Sequence, residues 1–391
     1  MISQFRFPLV LGLLIAVFGS TEHCYAGSRS PIRWLARNAG NGVNRGFLVL
    51  EEHQYFMTPS KTGFTPLFGG MGEGAGLTGG LAFKKPVFHG FHAMIGARAS
   101  LRSYQRYEVG ISKESDRFVT GPSFALDILP EQDFFGEGQY TDIDDRSTFA
   151  VQATKLNWFT SYKQKRVQWS HILRWQRFDI SDGRDPRFPT TQSTFLPAEV
   201  SGGFADTQWI SNQVEAFIDF RDQPENTRSG TGFDVSASFQ HGIANTDTDF
   251  TTLRLVNYAY LPLPTERFHI FALRTEVIRN LSDDPIPFYM QPTIGGSGTL
   301  RGFREYRFRD RDAFALTAEY RYRVWTHIDA VLFADFGQVY SNIVKDFGTN
   351  GLESSKGFGL RLHTPNGFNL RMSVGTGREN TRLFVSLGPS W

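Results

Sequence analysis

Apolar and polar positions alternate with a period of two through the last third of the chain, and this pattern predicts strands that cross a membrane. From Ala315 to Trp325, Leu316, Ala318, Tyr320, Tyr322 and Val324 share one parity, while Thr317, Glu319, Arg321 and Arg323 share the other. A strand with one face against lipid tolerates charge on its lumen face, whereas a soluble core strand rarely carries three charges on one side. Phe358, Leu360 and Leu362 likewise oppose Gly359, Arg361 and His363, and Phe368, Leu370, Met372 and Val374 oppose Asn369, Arg371 and Ser373. Thr364-Pro365-Asn366-Gly367 between them predicts a tight turn.

Upstream, Val214, Ala216, Ile218 and Phe220 oppose Glu215, Asp219 and Arg221. Phe91, Ala93, Ile95, Ala97, Ala99 and Leu101 oppose His92, Arg98 and Ser100, and Phe271, Leu273 and Val277 oppose Arg274 and Glu276. Between Val151 and Ile180 both parities mix charge with apolar residues, and no register follows. Runs of about ten residues, each with its turn, give fourteen to sixteen strands. The expected fold class is all-β: a transmembrane antiparallel β-barrel, taken as sixteen strands, with a long inward-folded loop near 281–312 where the alternation lapses. Loops of that length in compact domains are usually functional. A propeller would need a blade repeat that the chain lacks.

The two ends supply addresses. Met1 to Ala26 carries Arg6, an apolar stretch from Phe7 to Phe18 and a small-residue site at Cys24-Tyr25-Ala26, the layout of a secretory signal peptide over residues 1–26. Its apolar core is short of the ~20 residues a spanning helix needs. Removal at Ala26 would take away the chain's one cysteine, and with it any disulfide or thiolate-bound metal. It would also remove one basic and one acidic residue, leaving the net charge at +2, which implies neither nucleic acid nor an acidic partner. At the other end Leu383, Val385, Leu387, Pro389 and Trp391 alternate with polar residues. Outer-membrane barrels characteristically close on a strand ending in an aromatic residue that the barrel assembly machinery recognises, so Leu387 and Trp391 form a candidate assembly signal.

Composition fits this picture. Mean hydropathy is −0.30, no segment after the leader approaches 18 uninterrupted apolar residues, and a helical membrane protein is excluded. Placing only every second residue against lipid keeps average hydropathy low, and 39 glycines with 15% aromatics suit turns and interfacial girdles.

The lapse contains GGSGTLRGFREYRFRDRD, followed by ALTAEYRYRVW and VLFADFGQVY. These three strings in this order resemble the bacterial surface antigen family, within the superfamily of BamA-like, TamA-like and FhaC-like outer-membrane barrels. QDFFGEG at 132–138, FIDFRDQPENTRSG at 217–230 and the glycine-rich stretch at 69–83 are also similar to that family. The resemblance implies a loop folded into the barrel whose R-G-F tip, here Arg301, Gly302 and Phe303, meets acidic residues on the inner wall, here Glu319 and Asp335, with Gly337 closing the F-x-D-x-G string. An arginine fork can bridge two carboxylates, more strongly where water is excluded. The resemblance further implies insertion, translocation or transport of proteins at the bacterial outer membrane; the alternative is a passive or structural pore without assembly activity.

Family members that assemble or secrete proteins carry periplasmic POTRA domains. The organisation expected here is a signal peptide over 1–26, a short segment over 27–68 without a POTRA pattern, and the barrel over 69–391. Residues 27–68 fit a plug, an extra strand or a tail. The glycines of 69–80 would weaken pairing of a first strand against the C-terminal strand, or simply let neighbouring aromatics pack close. Expected partners are outer-membrane lipid, the assembly machinery during biogenesis and a periplasmic partner protein.

Other signals are weaker. Gly74, Gly76 and Gly79 satisfy G-x-G-x-x-G, but no apolar strand precedes them, so the dinucleotide reading fails its context test. His89 and His92, three apart on a strand, face opposite ways and are poor joint metal ligands. Glu305, Asp310 and Asp312 interleave with Arg301, Arg304, Arg307, Arg309 and Arg311, which reads as a solvated or lumen-pairing loop and not as a nucleic-acid surface. Serine and histidine form no hydrolase signature, and neither catalytic residues, cofactor nor metal are expected.

Overall fold

The computed structural model describes residues 55–56, 63–68, 71, 75, 78–223, 226–263, 269–325, 327–363 and 369–387. Sixteen antiparallel strands follow one another around a barrel: β1 Phe64–Phe68, β2 Thr78–Phe88, β3 Phe91–Ser100, β4 Gln105–Glu114, β5 Phe118–Phe134, β6 Ser147–Gln164, β7 Val167–Asp182, β8 Thr207–Asp219, β9 Gly230–Ala244, β10 Asp249–Pro262, β11 His269–Asn280, β12 Asp312–Trp325, β13 Ile328–Tyr340, β14 Glu353–His363, β15 Asn369–Thr376 and β16 Thr381–Leu387. Each pairs with the next in sequence, as in Leu253 opposite Arg279 and Glu319 opposite Phe333. No helix among the described residues is long and apolar enough to cross a membrane.

The parity read from the sequence is the parity of the wall. In β12, Thr317, Glu319 and Arg321 are buried towards the lumen, while Tyr322 and Val324 are exposed. Leu81, Ile95, Leu156, Trp158, Leu332 and Phe358 lie more than half exposed on the outer face. Such apolar exposure on every side is unfavourable in water and is satisfied by hydrocarbon.

Connections of two and three residues, 89–90, 115–117 and 165–166, lie at one rim; 135–146, 183–206 and 281–311 lie at the other. β5 to β7 are the longest strands, at 17, 18 and 16 residues. Beyond the ~9–11 residues that cross the bilayer, their ends rise above it. There Phe149, Val151 and Ile180 pack with Phe134, Val200 and Phe288 under the 183–206 and 281–311 loops. Between Val151 and Ile180 the lumen face itself carries apolar Ala153, Phe159 and Ile172 while Gln152 and Arg177 are exposed on the other face, which is why this stretch shows no clean alternation.

Two expectations shift. The sheet begins with β1 at Phe64–Phe68, before residue 69, and Tyr55 and Phe56 pair with its far end. The described residues between β1 and β2, Met71 and Ala75, pack against Tyr104 instead of extending a strand, so Gly79 and Gly80 belong to the second strand. Residues 1–54, Thr364-Pro365-Asn366-Gly367 and Trp391 lie outside the described residues, together with the expectations placed on them.

Candidate functional site

The 281–311 connection folds into the lumen because its own residues give it a core. Ile294, Leu300, Phe303 and Phe308 bury against Ala313 and Val339 of the wall. A two-residue ladder, Thr293 opposite Arg309 and Ile294 opposite Phe308, closes the loop on itself. The tip between them carries Arg301, Gly302 and Phe303.

Arg301 spends its donors on two strands. Its Nη1 donates to Glu319 Oε1 of β12 at 2.9 Å, its Nη2 to Asp335 Oδ1 of β13 at 2.6 Å, and its Nε and backbone N–H to Asp335 Oδ2 at 3.0 and 3.1 Å. The guanidinium also lies over the Phe333 ring, 3.4 Å from its centroid. Both carboxylates have further partners: Ser355 Oγ donates to Asp335 at 2.9 Å, Arg321 Nε to Glu319 at 3.0 Å, and Arg361 also reaches Glu319. Glu319 and Asp335 are fully buried, and three guanidinium groups surround these two carboxylates. Such charge-assisted bonds are short and strong, and the low local dielectric raises the cost of removing one member.

Neighbouring positions explain the rest of the string. A Cβ on Gly302 would sit 2.2 Å from the backbone nitrogen of Gly377, beyond β15, so the tip is in backbone contact with the C-terminal hairpin. Phe303 is fully buried beside Phe308. At Gly337 a Cβ would meet Ile294 at 3.2 Å, so this glycine makes room for the loop's own core. All six residues of the expected loop contact thus lie together, whereas of the expected assembly signal only Leu387 is described, paired in β16 with Leu370.

Of the two expectations for the basic run following the tip, solvated or lumen-pairing, the structure shows pairing. Arg307 and Arg309 are buried. Arg307 donates to Glu379 at 2.9 Å and to Thr141 Oγ1 at 2.7 Å. Arg309 stands among the rings of Phe134, Phe149 and Phe288, within 5.7 Å of each centroid, and burial lowers its pKa to about 10. Burial, with Glu137 and Asp312 nearby, raises the Asp310 carboxyl to about 6. Glu137 accepts from Ser201 Oγ at 2.7 Å and Gln291 Nε2 at 2.8 Å, and Gln139 Oε1 accepts from the Val339 N–H at 2.9 Å. The 135–146 loop therefore clamps the inward loop from above. Pattern reading passed over Glu137, Gln139 and Glu379; the similarity of QDFFGEG to the family was the one signal pointing to the first.

A second contact spans the lumen at the opposite rim. Arg228, in the turn between β8 and β9, donates from Nη2 to Asp329 Oδ2 at 2.8 Å and to His363 Nε2 at 3.1 Å. The Asn226 side-chain amide lies 3.1 Å from His363 Nδ1. Asp329 begins β13 and His363 ends β14, so this turn reaches across to the far wall.

The fold has counterparts in proteins of known structure. No curated protein sequence matches this chain. Among solved structures, BamA from Haemophilus ducreyi lacking POTRA domains 1–3 is similar at 12% identity and TM-score 0.62, covering 88% of this chain and 77% of that one. CdiB from Acinetobacter baumannii, at 12% identity and TM-score 0.54, covers 84% and 60%. CdiB from Escherichia coli has the same identity and TM-score and covers 96% and 72%. These likenesses are of fold. A comparison with protein families matches residues 94–383, most of the barrel, the inward loop and β12 to β15 included, to the Omp85 superfamily domain, and the chain belongs to that superfamily of bacterial outer-membrane barrels.

Proposed function

We propose that this barrel inserts other polypeptides into the bacterial outer membrane or passes them across it, with the inward loop as the element that sets whether the lumen is closed. The observation that carries this reading is the superfamily match spanning the loop and its wall, together with the Arg301 contacts to Glu319 and Asp335. The role of the loop contact is structural in the first instance: Arg301, Gly302, Phe303, Glu319, Asp335 and Gly337 hold the tip against the wall and lend the lumen a stop.

Biogenesis follows from the two ends. Residues 1–26 direct export and are removed, and the last strand with Leu387 and Trp391 presents the chain to the assembly machinery. A separate periplasmic protein supplies contacts to the client.

Reconstitution tests the function directly. Purified barrel in lipid vesicles should accelerate integration or passage of an unfolded client polypeptide over empty vesicles, and membranes depleted of the protein should lose specific outer-membrane or exported proteins. A steady, open conductance with no effect on any client would instead assign it to passive pores.

A further inference from the structure

The short-turn rim is chemically lopsided. Lys85 of β2, Lys113 of β4, Arg117 in the 115–117 turn, and Lys165 and Arg166 in the 165–166 turn are all exposed, and no carboxylate pairs with any of them among the described residues. Lys85 and Lys113 lie on the lipid parity of their strands, with Leu81 and Val87 in the first case and Val109 and Ile111 in the second. Aromatic residues interleave with these cations. Phe88 and Phe91 stack at 4.7 Å with the Lys113 ammonium 5.9 Å from the Phe91 centroid, and the Arg166 guanidinium lies 5.1 Å from the Phe220 centroid. Phe118, Tyr162 and Trp169 continue the outer belt on successive strands, Phe118 opposite Tyr162 and Tyr162 opposite Trp169.

The far side of the same rim presents Leu261, Leu263, Phe271, Tyr322, Val324 and Trp325. No lysine or arginine takes the lipid parity there among the described residues. Register places Lys85 level with Ala93, two residues along β3 from Phe91, which faces Lys113. The two ammonium stems thus start roughly 12 Å apart, from two strand spacings and a two-residue rise.

We propose that the β2 to β8 wall binds the phosphates of anionic glycerophospholipids at Lys85, Lys113, Arg117, Lys165 and Arg166. The rim with short turns is the periplasmic one in bacterial barrels, and the leaflet it meets carries phospholipid headgroups. Lysine and arginine stems lie along the apolar surface while their charged heads reach the phosphate layer, where the aromatic belt also resides. Cations already in ion pairs would gain little from lipid; none of these five is in one among the described residues, so each adds to the attraction of an anionic headgroup. The consequence is orientation in the plane of the membrane: one side of the barrel is dressed with anionic lipid and the other is not.

The test uses the whole barrel in nanodiscs of phosphatidylcholine with a minor fraction of phosphatidylglycerol. Native mass spectrometry reads which lipids remain bound. The wild type should retain phosphatidylglycerol preferentially, with the preference falling at higher ionic strength. Each cation is worth about fivefold in that preference, or ~1 kcal/mol. A Lys85→Gln, Lys113→Gln, Lys165→Gln, Arg166→Gln variant, which keeps Arg117, should lose most of it, while Lys345→Gln at the opposite rim should retain it. Equal retention of both lipids by the wild type, or an unchanged preference in the fourfold variant with its heat-modifiable barrel intact, would overturn the assignment. So would an equal loss on Lys345→Gln, or a preference insensitive to salt.

Discussion

Two arginines cross the lumen of this barrel, one near each rim, and they are held in different ways. Arg301 uses its backbone N–H, Nε and both terminal nitrogens on two buried carboxylates and covers an aromatic ring. Arg228 makes its contacts to Asp329 and His363 from Nη2 alone, and its Nε and Nη1 meet no acceptor among the described residues. A guanidinium satisfied on every side behaves as part of the wall. One satisfied at a single nitrogen can pivot away with fewer bonds lost, so the short-turn brace is the weaker of the two.

Substitution should widen that contrast. Arg301→Ala leaves Glu319 and Asp335 buried with less compensation, which costs about 3–5 kcal/mol of loop docking. Single-channel conductance should rise and protease should cut within 281–311, while the barrel stays heat-modifiable; wild-type conductance and protection would remove Arg301 from its role. Gly302→Ala places a methyl against the backbone of Gly377. Overpacking of this kind costs about 1–3 kcal/mol, and the same protease assay should show partial cleavage.

Arg228→Ala should cost less, about 1–3 kcal/mol, because buried Asp329 keeps His363 as a neighbour at 3.6 Å. The inward loop should stay protected while conductance noise increases; cleavage of 281–311 in this variant would mean that the two contacts act as one unit.

The smallest effect is on pH. Burial raises the folded-state pKa of Asp310 to about 6, above its unfolded value. The folded loop therefore binds the proton more tightly than the unfolded chain, and docking strengthens as pH falls through about 6 and levels off near the unfolded value of about 4. Protease protection of the loop should be greater at pH 5 than at pH 8, and Asp310→Asn should flatten this dependence.

The strands most exposed to lipid were the most legible. β12 and β14 read directly, because lipid outside and charged lumen inside leave a parity in the sequence. The inward tip was legible through a string of residues that a family shares, and Glu319 could be placed on the lumen face by parity alone. What escaped has a physical cause. On β6 and β7 the lumen face carries apolar Ala153, Phe159 and Ile172 while Gln152 and Arg177 are exposed on the other face, so alternation is lost. Glu137, Gln139 and Glu379 act through partners 154, 200 and 72 residues away, and nothing local distinguishes them from ordinary loop residues. β1 is five residues long and contains Pro66, too short to show a period.

The close approach of Gly302 to Gly377 also fixes an order of events in time. Arg301 finds its carboxylates on β12 and β13, but the adjacent glycine is covered by the connection between β15 and β16, the last hairpin of the chain. A tip left outside when that hairpin closes would have to thread past a finished wall. Loop protection should therefore appear in refolding no later than heat-modifiability, and a barrel that closes first should trap a fraction of molecules with the tip stranded on the wrong side.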